Sequence, residues 1–235
     1  MHHPVALLLL CLVGLTVSCS EPPRPTVNLF RAVEIGDIDQ VKRHLYWDTD
    51  IDEANSEGER PLHIAARSGR VVIARELARH GADLEATDAS GRRPLEVALA
   101  NGRTQLAEML LENGAAIDPQ QMLQALIRQD VSDRDTLDFL IEQDADLDAL
   151  DTDGLAPIHQ AVMRGQVELT TRLIRAGVDI NRLDRQGRTP LDIALASGNQ
   201  SLTRLLEQYS ARPAPQPDPR NDGSARSQGP SVPGS

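Results

Sequence analysis

The sequence predicts an all-α solenoid of about six helix-turn-helix units joined by short finger loops. The first observation is a hexapeptide that recurs with little change, as Gly58–His63, Gly91–Glu96, Gly154–His159 and Gly187–Asp192. Positions 58 and 91 are 33 residues apart, and so are positions 154 and 187. A period in this range is typical of stacked repeats, whose units cannot bury their apolar faces alone. Such a stack offers a binding surface rather than a reaction centre.

Each element of the repeat has a physical reason. A proline stands at the fourth place of every hexapeptide, in the first turn of a helix, where its missing N–H removes no hydrogen bond. Ala65 and Ala66 keep that helix thin, so neighbouring units can stack closely. Glycines that permit a left-handed backbone follow the first helix at 69, 102, 165 and 198 and the second helix at 81, 114 and 177.

Composition narrows the classes of partner. The chain has 235 residues and a net charge of −11, which disfavours nucleic acid and anionic membrane surfaces as partners. Its two cysteines, Cys11 and Cys19, both lie in the first twenty residues. The remainder of the chain therefore has neither a disulfide framework nor a thiolate metal site.

The N-terminal sequence predicts an export signal and a membrane anchor. Pro4 to Val17 is a nearly unbroken apolar run of 14 residues, too short to span a bilayer but suited to a signal-peptide core. Leu15 to Cys19 resembles a bacterial lipobox, which implies a signal peptide over 1–18 and acylation of Cys19. Ser20, by the sorting rule of that family, is compatible with the outer membrane. A plain secretory signal with an incidental Cys19, and an uncleaved anchor, are the alternatives.

Segments at both ends of the repeats are expected to be irregular. Glu21 to Val27 is rich in proline and predicts an extended spacer, completing segment 19–27, that would lift the domain about 20 Å from the membrane. Residues 211–235 hold six prolines and almost nothing apolar, so they predict a disordered tail.

The repeated unit resembles the ankyrin repeat. The best match runs from Gly58 to Gly69 and closes with Gly81-Ala-Asp83. The resemblance covers 28–210, with units at about 28–57, 58–90, 91–117, 118–153, 154–186 and 187–210. The fourth unit departs most, because positions 91 and 154 are 63 residues apart, three short of two periods. Asp118 and Pro119 predict an early helix start, and hence a shortened finger and a gap or bend in the array. Ser132 and Asp135 predict a capping pair for the next helix.

Candidate catalytic and metal-binding residues receive little support. His63 and His159 occupy the same place in different units, and the resemblance implies that both are structural. No serine or cysteine nucleophile stands near either histidine, so no catalytic residue is assigned. The aspartates from Asp144 to Asp153 superficially resemble a calcium loop, but Gly154 falls too late for one. We therefore expect no enzyme activity, metal or cofactor; the alternative, an enzyme or metal protein, requires a clustered polar pocket.

The finger edges carry charge of both signs. Acidic stretches at Asp48–Glu53, Asp83–Asp88 and Asp144–Asp153 are either a solvated edge or a surface that steers a basic partner. Arginines interrupt the acid and are candidates for bidentate anchors, namely Arg60, Arg92, Arg93, Arg185 and Arg188. Tyr46 and Trp47 either cap the end of the stack or serve as an exposed aromatic anchor.

The resemblance implies binding through finger tips and through the residues just before the inter-helix glycine. Carried over, the partner-binding positions are Arg67, Ser68, Arg92, Asn101, Asp153, Leu155, Met163, Arg164, Arg188 and Ser197. The predicted function is a non-enzymatic, monomeric scaffold that holds a protein partner on its concave face, with no nucleic acid and no small-molecule substrate. Cys19 would tether it to the outer membrane, facing the periplasm. The alternative is a secreted effector that acts on another cell.

Overall fold

The structure, a computed structural model, describes residues 21–214, and all regular elements among them are α-helices. The predicted signal peptide, Cys19 and residues 215–235 lie outside the described residues. The helices are α1 (Leu29–Ile35), α2 (Ile38–Tyr46), α3 (Pro61–Ser68), α4 (Val71–Arg79), α5 (Pro94–Ala100), α6 (Thr104–Glu112), α7 (Pro119–Arg128), α8 (Arg134–Glu142), α9 (Pro157–Met163), α10 (Val167–Arg175), α11 (Pro190–Ala196) and α12 (Gln200–Gln208). Among residues 21–214, none of the helices has the length and apolarity that a bilayer span requires.

Consecutive helices pair into six units, from α1–α2 in unit one to α11–α12 in unit six. Between units, odd-numbered helices pack on odd-numbered neighbours and even-numbered helices on even-numbered ones, so the stack has two layers. The core runs continuously between the layers and includes the fully buried Leu62, Leu77, Leu110 and Ile158. Ala65 is also fully buried, as expected for a residue that lets neighbouring helices approach. The predicted all-α solenoid is confirmed.

Helix ends follow the predicted chemistry. Pro61, Pro94, Pro157 and Pro190 each occupy the first turn of an odd-numbered helix. Gly69 takes a left-handed conformation, with φ of 67°, and closes α3 through its N–H. A side chain there would be strained, which explains why glycine stands at this turn.

Neighbouring units are joined by a ladder of hydrogen bonds on the finger side. In each step a backbone N–H just beyond an even-numbered helix donates to a side chain earlier in the chain. The acceptor belongs to the preceding unit, except in unit four, where Gln120 of the same unit accepts. The steps are Asp83 to Asp52 (3.1 Å), Ala116 to Glu85 (2.7 Å), Asp146 to Gln120 (3.1 Å), Asp179 to Asp148 (2.9 Å) and Arg212 to Asn181 (2.7 Å). Part of the acidic finger edge is therefore structural, because its carboxylates hold the next unit in register.

The fourth unit is irregular in three places. Only residues 113–118 separate α6 from α7, whereas residues 80–93 separate α4 from α5, so a finger is missing. Gln120 supplies the ladder acceptor there from α7 itself. The turn 129–133 is longer than the other inter-helix turns, and contacts are sparse between α5 and α7 and between α8 and α10. The expected gap in the array corresponds to these two loosely packed joints.

The N-cap of α8 corrects the sequence interpretation. Asp133, rather than Ser132, precedes the helix, and its carboxylate accepts a hydrogen bond from the N–H of Thr136 at 2.9 Å. The same carboxylate accepts from the Thr136 hydroxyl, also at 2.9 Å. Both residue types can cap a helix, but the charged group gains more from the free N–H groups at a helix start.

The proline-rich spacer is packed against unit one, which differs from the extended stalk predicted from its composition. The indole N–H of Trp47 donates to the Pro22 carbonyl at 3.2 Å, and the Arg24 guanidinium lies 4.6 Å from the Trp47 ring centroid. Farther along, the N–H of Thr26 donates to the Gln40 side chain at 2.9 Å. Trp47 therefore covers the end of the stack together with the spacer, as one sequence interpretation predicted for Tyr46 and Trp47, whereas Tyr46 is 55% exposed.

The segment after α12 also differs from the prediction. The composition predicts disorder from Ala211 onward, but residues 211–214 continue the ladder of the repeats. The N–H of Arg212 donates to Asn181, and the N–H of Ala214 donates to the Asp192 carboxylate at 2.9 Å. The chain thus begins another finger after unit six, because Asn181 offers an acceptor at the place where Asp52, Glu85 and Asp148 offer theirs.

Candidate protein-binding surface

Each complete finger is shaped by the same turn. One side-chain oxygen accepts hydrogen bonds from the N–H groups two and four residues later, at 2.8–2.9 Å. The residues that supply this oxygen are Asn55, Asp88, Asp151 and Asp184. Such turns fix a loop locally and need no contact with the rest of the protein. The finger tips are therefore preformed rather than shaped by a partner.

Two of these aspartates are buried and ion-paired. The side chains of Asp88 and Asp184 are 2% and 0% exposed, and each lies 2.8 Å from a guanidinium nitrogen, that of Arg92 or Arg188. Burial alone would raise the pKa of both carboxyls, but hydrogen bonds from the N–H and guanidinium of the paired arginine lower it overall. Arg92 and Arg188 thus stabilise their own fingers, so neither is the unengaged bidentate anchor suggested by the sequence.

The two histidines sit at the finger bases and are fully buried. In each, Nδ1 accepts a hydrogen bond at 3.2 Å, from the N–H of Arg60 onto His63 and from the N–H of Ala156 onto His159. Nε2 then donates to a carbonyl of the next finger, from His63 to Arg92 at 3.0 Å. Burial lowers the pKa of both histidines, which keeps them neutral. The structural role predicted for them agrees with this geometry.

Acidic residues fill the same place in other units. Glu96 accepts from the N–H of Arg93 at 3.1 Å, and Asp192 accepts from the N–H of Thr189 at 2.8 Å. The place therefore requires an acceptor for the residue before the proline, and histidine and carboxylates both meet that need. No nucleophile takes part in either arrangement. Within residues 21–214, no three metal-ligating side chains come together.

A groove on the finger side brings together four of the predicted partner-binding residues. It lies between α7 and α9, beside the finger before α9, and has a volume of about 310 Å³. Asp153, Leu155, Met163 and Arg164 line it. The Met163 side chain is notable, because the residue is 53% exposed. Methionine is over-represented at adaptable binding surfaces, because its side chain is unbranched and flexible. We call this the α7–α9 groove.

The α7–α9 groove is also lined by residues that the sequence analysis did not nominate for partner binding, among them Gln160 of α9. Gln124 and Arg128 line it from α7, one helical turn apart. The predicted positions are those just before the inter-helix glycine, and unit four has no such glycine. Arg128 lies in the extra length of α7. The sequence shows this extra length only indirectly, because Gly154 follows Pro119 at a longer interval than the finger glycine follows the helix-start proline in regular units.

The other six predicted residues lie elsewhere. Arg67 lines a separate groove between α1 and α3 and approaches the buried Glu59 at 3.5 Å. Ser68 lies by the inter-helix turns, near Arg103. Asn101 and Ser197 bond to carbonyls of their own helices, and Arg92 and Arg188 are engaged within their fingers. The structure therefore concentrates the candidate surface on units four and five.

Comparison with known proteins decides the family. The family model "Ankyrin repeats (3 copies)" matches residues 29–121 and 123–216. The chain belongs to the ankyrin-repeat family. The boundary between the two matched segments falls within α7, in the irregular fourth unit of the ankyrin array.

Solved structures agree on the ankyrin fold. The crystal structure of the human ASB11 ankyrin repeat domain superposes with a TM-score of 0.60 and 21% sequence identity, over 79% of this chain and 85% of that one. At this identity the likeness shows the fold alone. A search of curated proteins finds no match. Ankyrin repeats are typically non-enzymatic interaction domains, so the family suggests a scaffold for protein–protein interaction.

Proposed function

We propose that this ankyrin-repeat protein is a non-enzymatic scaffold of the bacterial cell envelope. Acylated Cys19 tethers it to the outer membrane on the periplasmic side, and a protein partner binds in the α7–α9 groove. The observation that carries the binding half is the exposed Met163 between groups of opposite charge. The lipobox-like Leu15–Cys19 segment supports the tether.

The composition of the groove indicates the chemistry of the partner. Met163 and Leu155 offer apolar contact, Arg128 and Arg164 offer guanidinium groups, and Asp153 offers a carboxylate. Binding energy at interfaces is concentrated in buried apolar and arginine contacts, and charges at the rim direct the approach. The groove therefore suits a segment with one apolar side chain and flanking charged groups.

The packed spacer determines how close the tether would hold the domain. Cys19 is three positions before Pro22, whose carbonyl is bonded to Trp47. Three residues span at most about 11 Å. An acylated Cys19 would therefore hold unit one near the lipid surface, rather than on a long free stalk.

The tether is tested on the full-length chain expressed in a bacterium. We expect mass spectrometry to find an acylated Cys19 at the mature N-terminus, and the protein to fractionate with membranes. Cys19→Ser removes the thiol that accepts lipid and should shift the protein to the soluble fraction. Soluble protein in the medium with an unmodified Cys19 would favour a secreted effector. Retention in the cytoplasm would contradict both the envelope location and secretion.

The binding surface is tested with a photo-crosslinking amino acid at Met163. Val72, 66% exposed on α4, provides the matched control position on another face. We expect a discrete crosslinked partner from Met163 and none from Val72. With that partner purified, Met163→Glu should weaken binding at least about 30-fold, the loss expected at an interface hot spot, while Val72→Glu leaves it unchanged. Equal losses in both variants would remove the groove from consideration.

A further inference from the structure

We propose that a cavity between α8 and α10, on the face formed by the even-numbered helices, binds a small oxyanion, namely a carboxylate or phosphate group. This site is separate from the α7–α9 groove and goes beyond the proposed scaffold function. Its basis is a cluster of three arginines around one cavity in a strongly acidic protein.

The cavity arises from the irregular fourth unit. The long turn 129–133 precedes α8, and α8 and α10 make fewer contacts with each other than the other pairs of even-numbered neighbours do. The resulting space of about 260 Å³ is lined by Arg134, Leu137, Asp138, Arg172, Arg175 and Ala176. It is slightly smaller than typical sites for drug-sized ligands, which suits a small anion or a single acidic side chain.

The cations outnumber the acids around this space. Arg134 lies 3.2 Å from Asp138, and Arg172 lies 2.9 Å from Glu168. Arg175 also lines the cavity and forms no ion pair within residues 21–214. One positive charge is thus uncompensated in the cavity, although the whole chain carries −11.

The joint between units four and five also leaves hydrogen-bonding capacity unused. Within residues 21–214, the buried side-chain polar atoms without a partner are Arg172 Nε and Gln166 Oε1, both in unit five. Buried polar groups normally have partners, and an unpaired one calls for an explanation. A rotation that turned the Arg172 guanidinium toward the cavity would let Nε–H bond to a bound anion.

Guanidinium groups explain the choice of ligand. The planar fork of arginine matches the two oxygens of a carboxylate or phosphate, and such charge-assisted bonds are among the stronger ones in proteins. Leu137 and Ala176 supply the apolar part of the lining, where a short aliphatic stem would rest. A cation or an uncharged polar ligand would find no such match.

The experiment compares Arg175→Gln with Arg79→Gln. Arg79 is the last residue of α4, as Arg175 is of α10, but it does not line the cavity. The purified full-length protein is titrated separately with inorganic phosphate and with acetate at constant ionic strength, while backbone amide shifts are followed by NMR. Acetate represents a protein carboxylate and phosphate represents a phosphorylated ligand, so their order of affinity identifies the source.

We expect saturable shifts confined to residues near 134–138 and 172–176. Arg175→Gln should weaken binding about tenfold, whereas Arg79→Gln leaves it unchanged. Both variants should keep the thermal midpoint of the parent in buffer without anion, because neither arginine is ion-paired. Non-saturating shifts spread over the surface, or equal affinity in the two variants, would overturn the proposal.

Discussion

Replacing Asp184 with alanine is expected to destabilise the protein by about 2–3 kcal/mol, because a buried carboxylate that shapes a finger is lost. The wild-type group is fully buried and accepts bonds from the N–H groups of Gln186 and Arg188 and from the Arg188 guanidinium. Urea unfolding at pH 7, followed by circular dichroism, measures the change. Asp153→Ala, at an exposed tip position, should stay within about 0.5 kcal/mol of the parent.

Replacing Asp184 with asparagine separates the stability contributed by the turn from the stability contributed by the ion pair. Asn55 already shapes its own finger with the same two N–H bonds and no paired arginine. Asp184→Asn should therefore keep the two N–H bonds of the turn, lose the ion pair and the hydrogen bond from the Arg188 guanidinium, and cost about 1 kcal/mol. A loss in Asp184→Asn as large as in Asp184→Ala would show that the ion pair, rather than the turn, supports the finger.

The stabilisation that the Asp184 carboxylate provides should decrease as the pH is lowered. The folded-state pKa of Asp184 is lowered from its ordinary value of 3.8, so the unfolded chain binds the proton more readily. The stability supplied by the carboxylate is complete above pH 3.8 and is lost as the pH falls through the lowered folded-state pKa. Asp184→Asn has no such proton to bind, so its stability should change less over that range. An identical acid profile for the parent and this variant would contradict the assignment.

The fold could be predicted from the sequence because the repeat acts through short-range chemistry. Pro61 fixes a helix start, Gly69 permits a left-handed turn, and Ala65 allows close stacking, whatever surrounds the chain. The repetition of these features specified the number of units and the position of the irregular one. These local features determine helix starts, turns and stacking without long-range contacts, which a single sequence does not show.

Long-range contacts explain the main differences between the structure and the sequence-based predictions. Proline content alone predicts an extended spacer, but Trp47 and Arg24 hold this one against unit one. Likewise, composition predicts disorder from 211 onward, whereas Asn181 and Asp192 bind residues 212 and 214. In both cases the contacting residue lies 20 or more positions away in the sequence. At such a separation the residue types alone do not show which residues will contact each other.

The candidate surface was only partly predictable for a related reason. The repeat nominates Met163 and Arg164, which line the α7–α9 groove and belong to a regular unit. It also nominates Arg92 and Arg188, whose charges are engaged by buried aspartates four residues earlier. It omits Arg128, because the extra turn of α7 has no counterpart in other units. Position within a repeat identifies which residues face outward, but their pairing decides which of them a partner can use.

His159→Ala should produce the largest single loss, about 3 kcal/mol, because it leaves buried groups unpaired and opens a cavity. The ring accepts from the N–H of Ala156 and donates to the carbonyls of Arg182 at 2.9 Å and Arg188 at 3.3 Å. Since repeats are stabilised by their neighbours, faster amide hydrogen exchange should concentrate in units five and six. His80→Ala is the control, because that ring is exposed and bonds only within its own helical turn. Equal losses for both variants would refute the structural role.

The same histidine makes stability depend on pH near neutrality. Burial lowers its folded-state pKa below the ordinary 6.5, so the unfolded chain binds a proton first as the pH falls. Its contribution is complete above pH 6.5, declines below that value, and is gone once the pH passes below the folded-state pKa. His63 behaves alike, and each proton contributes at most about 1.4 kcal/mol per pH unit. Urea unfolding between pH 8 and pH 5 should therefore give His159→Ala a shallower slope than the parent, whereas an unchanged slope would mean that His159 does not titrate on unfolding.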